Sequence, residues 1–133
     1  MTLQVELVSP ERILWTGEAD MVIARTAGGG DIAFLTGHAP FVGALDIGKV
    51  VVRPPQGDDE LVAVHGGFIE VSNDRVTILS DVAEVASQID VERARQAQER
   101  AEASLRQEHD VEVEAALRRA EVRLSVAGDR VAH

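Results

Sequence analysis

The hydrophobic pattern of this 133-residue chain changes period once, near Ile89. Before that point apolar residues come in short runs rich in β-branched side chains, broken about every eight to twelve residues by Gly, Pro, Asp or Asn. In the run from Leu3 to Val8 the apolar Leu3, Val5 and Leu7 alternate with Gln4 and Glu6, which buries one strand face and wets the other. Runs 19–26, 46–53, 60–65 and 75–80 are more continuously apolar, as strands between two packed layers are. Gly28-Gly29-Gly30, Pro54-Pro55 with Gly57-Asp58-Asp59, and Ser72-Asn73-Asp74 supply the positive or fixed φ that reversals require. The pattern predicts an N-terminal antiparallel β-sandwich over residues 1–87.

Beyond Ile89 the turn residues vanish and the period becomes helical. Ala94, Ala97, Ala101 and Leu105 fall three or four apart, and Val113, Ala116, Leu117, Ala120, Leu124 and Ala127 do the same. Asp90 is the expected N-cap of a first helix, residues 107–110 the expected break, and Gly128 the expected C-terminal stop of a second. Residues 88–133 are thus predicted to form a C-terminal antiparallel α-helical hairpin. Its first stripe is mostly alanine. Three buried alanines and one leucine contribute roughly 4–5 kcal/mol, while ordering each residue costs about 1–2 kcal/mol. Such a hairpin needs docking to the sandwich, a partner or a ligand to hold one arrangement, and its composition points to an element with two states.

Composition narrows the function classes. With no cysteine, neither a disulfide framework nor a thiolate metal site is available. A formal net charge of −10 opposes binding to nucleic acid or anionic lipid. The first residues lack a basic region followed by an apolar stretch, and no run approaches the roughly 20 apolar residues of a membrane helix, so no direct membrane insertion is expected. The charge is uneven: residues 1–88 carry 5 basic and 13 acidic side chains, against 8 and 10 in the remainder, so basic surface belongs mostly to the helices. No metal site is expected, because His38, His65 and Glu70 follow no ligand spacing. Nor is there a cysteine or a G-x-S-x-G nucleophile.

Three segments carry a resemblance to a known family. The stretch Gly30-Asp31-Ile32-Ala33-Phe34-Leu35-Thr36-Gly37-His38-Ala39-Pro40 resembles the pattern G-E-(L/I)-G-(I/V)-L-P-G-H-A-P. Gly66 to Val71 and Val76 to Asp81 resemble G-G-F-L-E-V and V-T-V-L-A-D, and Ile89-Asp90-Val91-Glu92-Arg93-Ala94 matches (I/L)-D-x-x-R-A. All three belong to the epsilon subunits of bacterial rotary F-type ATP synthases, which the chain resembles over almost its whole length. The resemblance implies a non-catalytic coupling and regulatory subunit of the central stalk, peripheral at the cytoplasmic face of the cell membrane. Its sandwich would touch the gamma subunit and the c-ring. Its hairpin would either fold on the sandwich or extend into the alpha/beta catalytic head and inhibit ATP hydrolysis.

The same resemblance assigns residues. Asp31 and His38 match positions that face the c-ring, with Asp31 and Thr36 standing where Glu and Pro are usual; the alternative is a solvated turn Asp and a loop His bonded to backbone. No cofactor is required, but ATP is implied as a regulatory ligand of Glu84, Asp90, Arg93, Ala94, Arg100, Arg119 and Arg123. Arg93 and Arg100 are seven residues apart and Arg119 and Arg123 four, so each pair shares a helix face, and a folded hairpin can bring both pairs to one phosphate chain. The competing reading of these arginines is a set of solvated ion pairs with Glu92, Glu99, Glu102 and Glu121, each contributing under about 1 kcal/mol. No Walker motif is present, so binding would be regulatory and not hydrolytic. A free-standing adaptor or nucleotide sensor of the same architecture is the rival function.

Overall fold

A computed structural model describes residues 1–132. The alternation at the N-terminus becomes β1 (Leu3–Val8), with Leu3, Val5 and Leu7 buried. It is followed by β2 (Ile13–Ala19), β3 (Met21–Thr26), β4 (Gly30–Leu35), β5 (Phe41–Arg53), β6 (Glu60–Ser72), β7 (Arg75–Leu79) and β8 (Ala83–Val85). A 3-10 turn at Ala86–Gln88 leads to α1 (Val91–Gln107) and α2 (Val111–Ala132). The hydrogen-bonded order is β2-β1-β7-β6-β5-β3-β4, with β8 also on β6. All pairings are antiparallel except β1 with β7, which run parallel.

The long strands β5 and β6 are what turn this ribbon into a sandwich. On the side away from β5, residues 62–64 of β6 carry β8 while residues 68–72 carry β7. The change of partner falls at Gly66 and Gly67, whose φ angles of 91° and 117° are open to glycine but not to ordinary side chains. A Cβ on Gly67 would also strike the Leu79 carbonyl. Around this bend one core collects Val5 from β1, Val22 from β3, Phe34 from β4, Val50 from β5, Ile69 from β6 and Ile78 from β7, all at most 2% exposed. The β6–β7 connection places Asn73 and Asp74 at φ 51° and 58°, the type I′ geometry that matches strand twist.

The hairpin folds back onto the sandwich, and it does so through α2. Contacts to β5 and β6 come from α2, whereas α1 packs on α2. A second apolar cluster of Leu61, Ala63, Ala86, Ile89, Val126 and Ala127 makes this joint. Asp90 caps α1 as expected, its carboxylate accepting from the Arg93 amide at 3.0 Å. Gly128, by contrast, does not stop α2, which continues to Ala132. The glycine keeps a negative φ there, and its helix-interior cost of about 1 kcal/mol is too small to end a helix on its own.

Candidate functional site

The seven residues assigned by resemblance to a nucleotide line a single cleft of about 450 Å³, together with Gln88, Ala97 and Ala116. Each element supplies its share for a local reason. The Asp90 cap sets the phase of α1, so that Arg93, Ala97 and Arg100 follow one another on the face toward α2. From the facing helix come Ala116, Arg119 and Arg123, and β8 contributes Glu84. Small side chains at 94, 97 and 116 leave the space between the helices open.

Charge in the cleft is unbalanced. Four guanidiniums face two carboxylates, and both carboxylates are already engaged: Asp90 with its own helix, Glu84 with Arg123 Nε at 2.6 Å and His65 Nε2 at 3.1 Å. Among the described residues Arg93, Arg100 and Arg119 form no ion pair with any acid within 4.0 Å. The ion-pair alternative does not describe them, for Glu92 takes Arg95 at 3.1 Å, and Glu99, Glu102 and Glu121 pair with none of them. The reason is spacing: i,i+3 neighbours on the outer helix face meet, while the inner-face arginines point away from those acids. Guanidiniums without a carboxylate partner around one cavity are the side chains that recognise phosphate oxygens, often in bidentate pairs.

His65 is a residue that the local pattern of the chain did not flag. Its ring is 4% exposed and lies behind Glu84. Burial pushes this imidazole below its ordinary value; the hydrogen bond to Glu84 works against that, and the positive charges of Arg123 and Arg119 reinforce it. Nothing but tertiary contact links position 65 to position 84.

Asp31 and His38 do not come together. Asp31 is exposed beside the β3–β4 turn, opposite Arg25. His38 follows the other end of β4, and ~13 Å of strand separates Asp31 from Leu35 alone. The His38 ring packs edge-on against Phe34 at 4.9 Å and donates from Nδ1 to the Ala39 carbonyl. Asp31 lies within β4 and not in a turn, so the alternative of a turn aspartate does not describe it.

A larger surface feature crosses the sandwich. Ala44 faces Phe68, Phe68 faces Leu79, Leu79 faces Val8 and Val8 faces Ile13, so one apolar row spans β5, β6, β7, β1 and β2 on the outer face. Phe68, Leu79 and Ile13 are 58%, 47% and 57% exposed, and Val42 beside them is 73% exposed. A contiguous apolar stripe of this kind is the mark of a docking surface.

Comparison with known proteins agrees with this architecture. Residues 2–86 match the family described as ATP synthase, Delta/Epsilon chain, beta-sandwich domain, and residues 87–128 match its long alpha-helix domain. The ATP synthase epsilon chain of Streptomyces griseus is 44% identical over 128 residues, covering 96% of this chain and 97% of that one. Those of Halalkalibacterium halodurans and Moorella thermoacetica are 46% and 47% identical, each over 96% of this chain and 98% and 97% of their own. Among solved structures, a chain of the Euglena gracilis mitochondrial ATP synthase has the same fold, with a TM-score of 0.73 at 24% identity over 99% of this chain and 82% of that one. Among the described residues no helix is long and apolar enough to cross a membrane. With both halves of the family matched in order and curated relatives matched end to end, this chain belongs to the ATP synthase delta/epsilon chain family, beside the bacterial epsilon chains.

Proposed function

We propose that this chain is a non-catalytic subunit of the central stalk of a proton-translocating F-type ATP synthase, coupling rotation between c-ring and catalytic head at the cytoplasmic face of the membrane. In this reading the apolar row through Phe68 docks the gamma subunit. The hairpin is the regulatory element, inhibiting ATP hydrolysis when it leaves the sandwich for the alpha/beta head. ATP holds it folded. The observation that carries the regulatory part is the cleft in which both helices aim guanidiniums at one cavity and three of them have no carboxylate partner among the described residues.

Magnitudes favour such control. A ligand at a hundred times its Kd stabilises the form that binds it by about 2.7 kcal/mol, comparable with the roughly 4–5 kcal/mol of the alanine stripe. Since the cleft needs residues from α1, α2 and β8 at once, a polyanion in it favours the folded hairpin over any extended one.

Calorimetry on the full chain tests the ligand. ATP binding that Arg93→Ala abolishes is expected, and no heat at millimolar ATP ends this part of the reading. Co-purification tests the partner: one-to-one binding to purified gamma subunit is expected, with Phe68→Asp releasing it. A chain that ignores gamma is instead a free-standing adaptor. Removing residues 89–133 should raise the ATPase activity of the assembled complex.

A further inference from the structure

Beside the apolar joint, Glu84 makes the polar tie between the lining of the cleft and the sandwich. Glu84 Oε1 receives Arg123 Nε from α2 at 2.6 Å and His65 Nε2 from β6 at 3.1 Å, so a single carboxylate oxygen joins the helix to the sheet. Behind it the His65 ring is nearly sealed, and its Nδ1 is buried with no hydrogen-bond partner among the described residues. That combination defines the proton. A carboxylate oxygen only accepts, so Nε2 carries the hydrogen and Nδ1 is a bare lone pair. A second proton would bury an unpaired charged N–H, which is strongly disfavoured.

We propose that His65, kept neutral by its sealed pocket, is the positioning residue for Glu84, and through it sets both the docking of α2 on the sandwich and the aim of Arg123 into the cleft. The backbone supports this assignment. His65 stands immediately before the Gly66-Gly67 bend, and its own amide donates to the Val82 carbonyl at 3.1 Å, so the strand that carries the ring is tied to the segment leading into β8. With its Nε committed to Glu84, Arg123 keeps both Nη groups for an anion. Without the histidine, Glu84 is free to rotate and carries Arg123 with it.

A pH dependence follows from the same geometry. The charged groups facing the ring are Glu84 on β8 and Arg119 and Arg123 on α2; β5 places Ile47 opposite it. With α2 undocked, the ring is freed of the positive charges of Arg119 and Arg123 and titrates closer to its ordinary value of about 6.5. Docked, burial lowers that value, so the undocked form binds the extra proton first. Docking therefore has its full strength above about pH 6.5 and weakens as the pH falls below it.

The docking half of this inference stands on the contacts alone; the nucleotide half rests on the reading above. The test uses the full chain, with hydrogen exchange of α2 amides from about pH 5.5 to 8 and ATP titration at the upper end. Wild type should lose α2 protection toward the acid end. His65→Gln, whose amide can donate to Glu84 but does not titrate, should keep α2 protected and show a flat profile. His65→Ala should lower both α2 protection and ATP affinity about tenfold, and adding Glu84→Ala to it should change little further. An acid loss that persists in His65→Gln overturns the proposal, as does wild-type protection in a folded His65→Ala. Should the alanine variant fail to fold, the glutamine profile decides. A wild type that binds no ATP but shows the histidine-dependent profile removes the nucleotide reading and leaves the docking role intact.

Discussion

The two regions of this molecule are built on opposite energetic plans. In the sandwich, six strands send large β-branched and aromatic side chains into one core, and Leu3, Val5, Val22, Phe34, Ile69 and Val76 are wholly buried. In the hairpin, the buried residues of α1 are alanines 94 and 101, and the helix that packs on β5 and β6 is α2. Burial of a large side chain contributes about 1.5–3 kcal/mol and burial of a methyl about 0.8 kcal/mol. One region is thus committed to its structure, while the other is held by a small apolar joint and a few charged contacts that can be made and lost. Keeping the two plans apart is what the proposed function, a fixed sandwich with a hairpin that changes place, would require.

Three substitutions can break or sharpen that contrast. The largest effect is expected in the sandwich: Phe34→Ala, which empties a fully buried site, should cost about 3–5 kcal/mol. Trp15 on β2 reports it by fluorescence during denaturant unfolding. An intermediate effect is expected where the helices meet. Ala120 is fully buried, and Ala120→Leu should overpack the hairpin by about 1–3 kcal/mol. Hydrogen exchange should then show α2 losing protection while the Trp15 midpoint stays in place; equal shifts of both would make the regions one cooperative unit and erase the distinction. The smallest effect belongs to Arg118→Ala. Its pair with Asp46 spans 3.5 Å with side chains 53% and 34% exposed, so the loss in α2 protection should correspond to under about 1 kcal/mol.

How far the chain can be read without its fold differs between the regions. The strand and helix periods, the Asp90 cap and the turns at 28–30 and 72–74 are local properties, since each depends on neighbours a few residues away. The sandwich and the hairpin were therefore legible, as was the pairing by helix face of the four arginines that the resemblance singled out. Strand lengths were not. Gly43, Gly66 and Gly67 interrupt the apolar pattern, so two 13-residue strands read as shorter ones, with the bend at Gly66 visible only when β7 and β8 take its two sides. Gly128 misled in the other direction, because a glycine ends a helix only when the chain needs a left-handed residue there, and here it does not.

By itself, then, the sequence determined the two-part architecture and the change of period at Ile89, while the family resemblance singled out seven of the residues that line the cleft. Tertiary structure alone decided that Glu84 from β8 sits between His65 and Arg123, that Arg93, Arg100 and Arg119 have no ion pair among the described residues, and that Asp31 and His38 lie toward opposite ends of β4. The physical reason is range. Propensity and period act over a turn or a strand, whereas the partner of a charged group is set by which elements pack together, and sequence spacing carries no record of that.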